Sequence, residues 1–368
     1  MLDLLPGRWL RASTLLALGL TACDGGTTDT DAGSTPADAG ALADAGSTDA
    51  AAADASTPSD ARPWLYVVNT NDDLTSYAAA STADGPVEPR TTLEQGGTTM
   101  LFQPRAIAVT PSGRMLVGRQ NGGIVGWDAL ASADGATPAD RTIEDTGLST
   151  VIEFAYDAAA DRLFVGVPNA ANGVLVYDDV SSDAFDGSVA PSRSFGPSDR
   201  APHDPTGSIQ MTVDALAFDA AGLLYVVDTS GLNTNHSRVL VYEGAGAADG
   251  ETAPARIFES DAWAGVVDIA ITGAGDLIAV DDTATIFTVR GAATAEGMVT
   301  PETVTASPAR AALAGVLVGS DGTVYVTDRE NADIYVFDGL DGSDGTPDRT
   351  IAGTPTGLRG PRAMFLVE

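Results

Sequence analysis

Short apolar runs recur along the chain at intervals that predict a repeat of β-strands. The middle residues of six such runs lie 47, 62, 53, 47 and 48 positions apart. The runs are Ile107–Val109, Phe154–Tyr156, Leu216–Phe218, Ile269–Ile271, Val316–Val318 and Met364–Leu366. A period near 50 residues with several short strands per unit is typical of the blades of a β-propeller.

The segments between these runs predict three further strands per unit. A turn separates each run from a second apolar strand, such as Val324–Val326. A third strand then ends on an aromatic or apolar residue, such as Trp127 or Phe337, and a fourth follows an acidic residue, a glycine and a proline, as at Asp344-Gly345 with Pro347. Proline is compatible with this position because the outermost strand of a blade is an edge strand.

The two ends of the chain predict how the ring closes. The final segment, Pro361–Glu368, repeats the start of the unit that opens at Pro104, whereas the first unit begins at a second strand, Trp64–Val68. We therefore expect residues 363–367 to supply the inner strand of the first blade, which removes the open edges that favour aggregation. The prediction is an all-β, six-bladed β-propeller over residues 63–368, with N-/C-terminal strand closure.

The N-terminus predicts export. Arg8 and Arg11 precede an apolar run over residues 12–20, which is too short to span a bilayer permanently and is typical of a cleavable signal. The following Leu20-Thr21-Ala22-Cys23 resembles the lipobox of bacterial lipoproteins, which implies cleavage before Cys23 and acylation of that residue. The alternative is an ordinary signal peptide with an incidental cysteine. We expect residues 1–22 to be the signal peptide and the mature chain to be lipid-anchored in the bacterial cell envelope, in the outer membrane or on the periplasmic face of the inner membrane.

Residues 23–62 predict a disordered tether behind the anchor. After Cys23 the segment consists mainly of Asp, Ala, Gly, Ser, Thr and Pro, and it contains no aromatic residue. Such a segment cannot bury enough apolar surface to offset the entropy lost on ordering.

Composition restricts the function classes. The formal net charge is -32, with 51 acidic residues, 19 arginines and no lysine, so we expect no nucleic-acid partner. The two histidines are His203 and His236, and no Gly-x-Ser-x-Gly motif is present. These features favour a monomeric binding or scaffolding module without a cofactor over an enzyme.

The repeat unit resembles the NHL type of propeller. The resemblance rests on the patterns Pro-x-x-Ile-Ala-Val, Gly-x-Leu-Tyr-Val-x-Asp and Asn-x-x-Ile-x-Val-Phe. The clearest copy is Val316–Phe337. The resemblance implies a platform for proteins, peptides, sugars or RNA, and some similar propellers are lyases or lactonases. Function therefore has to be argued from the site.

We expect the binding site on the face that carries the second-to-third-strand loops and the blade-to-blade connections. The longest of these segments, 196–211 and 229–237, each contain a histidine, and long loops are frequent sites of function. The alternative is that these long surface loops have drifted in sequence and length without a function. The candidate binding residues for a protein, peptide or glycan partner are Asn69, Arg119, His203, Asp228, His236, Asp281 and Asp328.

A calcium-dependent hydrolase or lyase of the lactonase type is the alternative function. Propeller lactonases of this kind need a Glu, Asn and Asp set at the channel, and Glu153, Asp214 and Asp268 lie at or just before inner strands. The plainer interpretation is that they line the channel or the turns. The acidic segment Asp338–Gly345 also invites a calcium interpretation, but its spacing does not match an EF-hand, and solvated Asp-Gly turns explain it better.

Overall fold

The strands form six mainly antiparallel sheets arranged as the blades of a β-propeller, which confirms the predicted fold class. The computed structural model describes residues 61–145, 147–170, 172–197, 211–229, 237–263, 265–306 and 311–368. The predicted signal peptide, Cys23 and nearly all of the predicted tether lie outside these residues. Within them, no helix has the length and apolar character needed to cross a membrane.

The strands follow the predicted order within each blade, from the channel outwards. Blade 1 contains β1 (Trp64–Asn69), β2 (Leu74–Tyr77) and β3 (Thr91–Leu93). Blade 2 contains β4 (Pro104–Val109), β5 (Met115–Arg119), β6 (Ile124–Trp127) and β7 (Arg141–Ile143). Blade 3 contains β8 (Glu153–Asp157), β9 (Arg162–Gly166), β11 (Val174–Asp178) and β12 (Arg193–Gly196), and the short β10 (Pro168–Ala170) pairs with the next blade.

The remaining blades repeat this order. Blade 4 contains β13 (Met211–Phe218), β14 (Leu224–Asp228), β15 (Arg238–Tyr242) and β17 (Arg256–Glu259), and the short β16 (Gly250–Glu251) pairs with blade 3. Blade 5 contains β18 (Val266–Ile271), β19 (Leu277–Asp281), β20 (Thr285–Val289) and β22 (Glu302–Thr305), and the short β21 (Gly297–Met298) pairs with blade 4. Blade 6 contains β23 (Leu313–Val318), β24 (Val324–Asp328), β25 (Asp333–Phe337) and β26 (Arg349–Ile351), and the chain ends with β27 (Pro361–Val367). Short 3-10 helices are Leu130–Ser132, Ala245–Ala247, Ala292–Thr294 and Thr354–Thr356.

The C-terminal strand β27 completes blade 1, as the sequence predicts. The sheet order is β27-β1-β2-β3, and the antiparallel register pairs Trp64 with Val367 and Val67 with Met364. One sheet thus joins the first described strand to the last residues of the chain. The ring has no unpaired inner edge at this point.

Apolar clusters between neighbouring blades form the core. Each of the six clusters combines side chains of two adjacent blades, and the cluster between blades 6 and 1 closes the ring. In five blades the third strand ends on an aromatic residue that is at most 1% exposed and packs into the cluster shared with the preceding blade. These residues are Tyr77, Trp127, Tyr177, Tyr242 and Phe337. These buried aromatic residues therefore stabilise the packing of neighbouring blades against each other.

Four of the Asp-Gly turns connect adjacent blades, whereas the exposed Asp344 carboxylate accepts a hydrogen bond from the Thr346 N–H of its own turn. The Asp134 carboxylate accepts a hydrogen bond from the Thr92 N–H of the preceding blade at 2.9 Å, and Asp186 does the same with Thr142 at 2.9 Å. The pattern repeats with Asp249 and Ser194 and with Asp84 and Thr350. Each of these four aspartates thus covers a backbone donor on an outer edge strand, where an unpaired donor would otherwise favour aggregation.

The arginine of the fourth strand pairs with an acidic residue at the end of the third. Arg141 contacts Asp128 at 2.7 Å, and Arg193 contacts Asp178 at 2.9 Å. Blade 5 lacks the arginine at this position, but it carries the pair in reverse, with Arg290 on the third strand and Glu302 on the fourth at 2.8 Å. Many of the arginines therefore stabilise the blades through ion pairs. An arginine without such a role is a candidate functional residue.

Candidate functional site

The channel between the inner strands opens into one cavity at each end. We define the upper face as the one that carries the second-to-third-strand loops and the blade-to-blade connections, and the lower face as the opposite one. A cavity of about 920 Å³ extends along the inner strands to lower-face turns such as Pro111–Gly113. A smaller cavity of about 250 Å³, here called the mouth cavity, lies at the upper end.

A shift in strand register places side chains in the mouth cavity. In blades 1, 2, 4, 5 and 6, the pairing between the inner and second strands shifts near the start of the inner strand. The residue without a pairing partner is Arg105 in β4 and Asp214 in β13. In β27, both Arg362 and Ala363 lack a partner. Irregularities of this kind redirect a side chain, and these residues line the mouth cavity.

The charges around the mouth cavity divide into two halves. Arg329, Arg362 and Arg105 belong to blades 6, 1 and 2, which are consecutive in the closed ring. Glu153 and Asp214, on blades 3 and 4, and Asp282, on blade 5, line the same cavity. The mouth therefore has a basic half and an acidic half.

The arginines of the basic half are largely unused by the fold. Arg105 donates two hydrogen bonds to Gln120 Oε1, at 3.1 and 3.2 Å. In the part of the chain that the structure describes, the side chains of Arg329 and Arg362 form neither a hydrogen bond nor an ion pair. Burial, together with repulsion from Arg105 and Arg329, lowers the pKa of Arg362 to about 10. The three guanidinium groups are thus close enough to repel one another.

Two carboxyl groups of the acidic half, those of Glu153 and Asp214, have pKa values raised by burial. Asp214 accepts a hydrogen bond from the Thr229 hydroxyl, and burial raises its pKa. Glu153 accepts one from the Phe154 N–H at 2.9 Å, and its pKa is raised well above the usual range by burial and then by the charge of Asp268. Asp282 is exposed at the rim.

Asp268 lies deeper in the channel and connects two blades. Its carboxylate accepts hydrogen bonds from the Val316 N–H of blade 6 at 2.7 Å and from the Ile269 N–H at 2.8 Å. Burial raises the pKa of Asp268 to about 7. Glu153, Asp214 and Asp268 therefore all lie at the channel, as predicted. Within the described residues, however, no three Asp, Glu, His or Cys side chains are grouped so that they could hold a metal ion.

Five of the predicted binding residues occupy one repeated position at the end of the second strand. They are Asn69, Arg119, Asp228, Asp281 and Asp328, and each is at most 7% exposed. Asp281 accepts hydrogen bonds from the Thr283 and Thr285 N–H groups, and Asp328 accepts one from the Tyr335 hydroxyl. Their polar atoms hold the adjoining loops in place and do not line the mouth cavity. The structure thus gives these side chains a positioning role behind the predicted face.

His203 and His236 lie outside the described residues. Arg105 and Arg362 were missed as site residues, although the sequence carries a signal for them. The tripeptide Pro-Arg-Ala opens both β4, at Pro104, and β27, at Pro361. The shared proline and alanine mark the start of an inner strand, and the arginine between them is the residue that the register shift directs into the mouth cavity.

Comparisons with known proteins support the fold alone. No family model matches this chain, and no curated protein matches it. Among solved structures, a chain of a nidogen/laminin complex is similar with a TM-score of 0.55 and 13% identity, over 83% of this chain and 99% of the other. The Dos1 propeller and virginiamycin B lyase from Staphylococcus aureus have TM-scores of 0.44 and 0.43, at 9% and 12% identity. They cover 75% and 71% of this chain and 64% and 73% of their own.

Proposed function

We propose that this chain is a monomeric, envelope-anchored propeller of the NHL type that acts as a non-enzymatic binding module for a protein, peptide or glycan. The observation that carries the proposal is the mouth cavity. Its charged side chains converge on the upper face, and two of its arginines are not needed by the fold. A concave site with a few convergent polar or charged groups is a common form of ligand site. The structurally similar chain in the nidogen/laminin complex gives a precedent for such a fold in a protein assembly.

The rim of the upper face also offers an apolar contact. Phe102 precedes the inner strand β4 and is 43% exposed, whereas most large apolar side chains of the described residues are buried. Aromatic residues, including Phe, and arginine are enriched at protein interfaces relative to the rest of the surface. The proposed partner surface therefore includes Phe102 and the neighbouring mouth cavity.

Site-specific photo-crosslinking in the native cell envelope tests this surface. A benzophenone amino acid at Glu330, which is exposed on the upper face, is expected to capture a partner. The same probe at Ala274, in an exposed turn of the lower face, is the matched control and should capture much less. Equal labelling from both faces, or labelling from neither, would contradict the proposal.

The lipid anchor belongs to the same proposal and has its own test. Replacing Cys23 by Ala removes the acyl acceptor, so the chain is expected to move from the membrane fraction to the soluble fraction of the envelope. The melting temperature of the released chain should equal that of the parent after the parent is solubilised in detergent. A Cys23→Ala chain that stays in the membrane fraction would refute the anchor.

The calcium-dependent hydrolase remains a second candidate because Glu153 and Asp268 are carboxyl groups with raised pKa values beside the channel. Groups with such values are frequent at catalytic sites. A stoichiometric calcium ion that raises the melting temperature would favour this candidate over the binding module, since a ligand that binds only the folded state stabilises it.

A further inference from the structure

The two charged halves of the mouth cavity face each other without direct ion pairs, although the charge of Arg105 acts on Glu153 and Asp214 and lowers the pKa of each against the larger rise caused by burial. Within the described residues, none of the ion pairs joins Arg105, Arg329 or Arg362 to the acidic half. The scaffold uses other arginines differently, since Arg238 contacts Asp228 at 2.7 Å with both side chains buried. Opposite charges in one cavity that form no ion pair with each other keep donors and acceptors available to a ligand.

Packing and hydrogen bonds hold parts of both halves in place. A Cβ at Gly315 would lie 2.3 Å from the Arg362 carbonyl oxygen, so β23 and β27 are in close contact behind the arginine. The same carbonyl accepts a hydrogen bond from the Thr327 hydroxyl at 3.0 Å. On the acidic side, the Thr229 hydroxyl holds the Asp214 carboxylate. A preorganised arrangement of this kind reduces the entropy lost on binding.

We propose that the mouth cavity binds a small zwitterion, with its carboxylate on the Arg105, Arg329 and Arg362 side and its ammonium on the Glu153, Asp214 and Asp282 side. A free amino acid and a short unblocked peptide share this chemistry. The inference rests on the proposed binding function and names the class of ligand. Arginine suits the carboxylate because its planar guanidinium can donate two parallel hydrogen bonds.

The size of the cavity and the charge of the protein favour a zwitterion over other ions. A volume of about 250 Å³ is below the range of about 300–1,000 Å³ that is typical for drug-sized ligands, so the ligand or its bound end is small. The net charge of -32 repels simple anions over a distance, whereas the three arginines repel simple cations at the mouth. A molecule with both charges and no net charge avoids both penalties.

Calorimetry with four matched probes tests the proposal on the full chain carrying Cys23→Ala. The probes are L-alanine, L-alanyl-L-alanine, N-acetyl-L-alanine, which lacks the ammonium, and L-alaninamide, which lacks the carboxylate. We expect alanine or the dipeptide to bind and each blocked compound to bind about 10- to 100-fold more weakly, because each loses charge-assisted hydrogen bonds. A stronger signal from the dipeptide would identify peptides as the source, and one from alanine would identify amino acids.

Substitutions assign the binding to the mouth cavity. Arg362→Gln and Asp282→Asn are each expected to weaken binding of the preferred probe by about 10-fold or more. Arg290→Gln and Glu296→Gln make the same charge changes at exposed sites away from the mouth and should leave the affinity unchanged. Because neither Arg362 nor Asp282 forms a side-chain hydrogen bond within the described residues, the melting temperatures of Arg362→Gln and Asp282→Asn should match that of the parent.

Three results would overturn the proposal. The first is binding of N-acetyl-alanine as tight as that of alanine, which would indicate a simple anion site. The second is binding of none of the probes. The third is an equal loss of affinity in the mouth variants and in their controls. Photo-crosslinking distinguishes this failure from that of the proposed function. Retained capture at Glu330 without zwitterion binding would leave the binding module in place and refute only the ligand class.

Discussion

Deletion of Pro361–Glu368 is expected to unfold the whole propeller rather than to loosen one blade. Strand β27 is the inner strand of blade 1, and its side chains belong to the apolar clusters on both sides of that blade. Burying one large apolar side chain contributes about 1.5–3 kcal/mol. That value is for full burial, and Met364, Phe365, Leu366 and Val367 are partly buried. Losing these four side chains together with the backbone pairing of β27 to β1 therefore removes a large part of the total stability of about 5–15 kcal/mol that is usual for a folded protein.

Thermal unfolding followed by circular dichroism measures this effect. The truncated chain should lose its cooperative transition, or melt more than about 15 °C below the parent. A synthetic peptide with the sequence of residues 358–368 is the control, since it can occupy the vacated edge of β1 and should restore part of the transition. A truncated chain that melts within about 2 °C of the parent would contradict ring closure by β27.

Replacement of Gly315 by Ala is expected to cause a large loss of stability for a single added methyl group. The new Cβ would lie 2.3 Å from the Arg362 carbonyl oxygen and 3.0 Å from the Thr327 hydroxyl, and the nearer atom is backbone that cannot rotate away. Overpacking of this kind costs about 1–3 kcal/mol or more. Because β27 must shift to relieve the contact, the variant should also displace Arg362 and weaken binding at the mouth cavity.

Chemical unfolding in guanidinium chloride measures the loss as a lower transition midpoint. Gly273→Ala is the matched control, because its Cβ would meet no atom within 4 Å, and this variant should unfold at the parental midpoint. A Gly315→Ala chain with the parental midpoint would show that β23 and β27 are farther apart than the structure places them.

The strand order was predictable because it depends on local patterns. Each strand alternates or clusters apolar residues over four to six positions, and each turn carries its own Asp, Gly or Pro. The pairing of β27 with β1 was predictable from the similarity of Pro361–Glu368 to Pro104–Pro111, whereas the register is seen only in the structure. The predicted upper face also proved to be where charged side chains converge, although the chosen side chains at the strand ends are buried.

There is a physical reason why the residues predicted to bind a partner at the strand ends instead support the adjoining loops. Asp228, Asp281 and Asp328 end buried strands, where unsatisfied N–H groups of the next loop need an acceptor. A carboxylate at that point is equally consistent, in sequence, with a ligand contact or with support of the loop. Only the positions of the neighbouring donors, such as the Thr283 and Thr285 N–H groups around Asp281, distinguish the two.

The sequence alone therefore specifies the number of blades, the strand order and the closure of the ring, because these depend on short repeated patterns and on a C-terminal segment that repeats the inner strand missing from the first unit. The charge distribution at the mouth depends on the tertiary structure. Arg105 and Arg362 are 257 positions apart in the chain, yet adjacent blades bring them into one cavity. Closure of the ring brings distant positions of the chain together, and the register shift turns their side chains towards the channel. Neither local composition nor spacing could therefore show that the basic and acidic residues divide the mouth into halves.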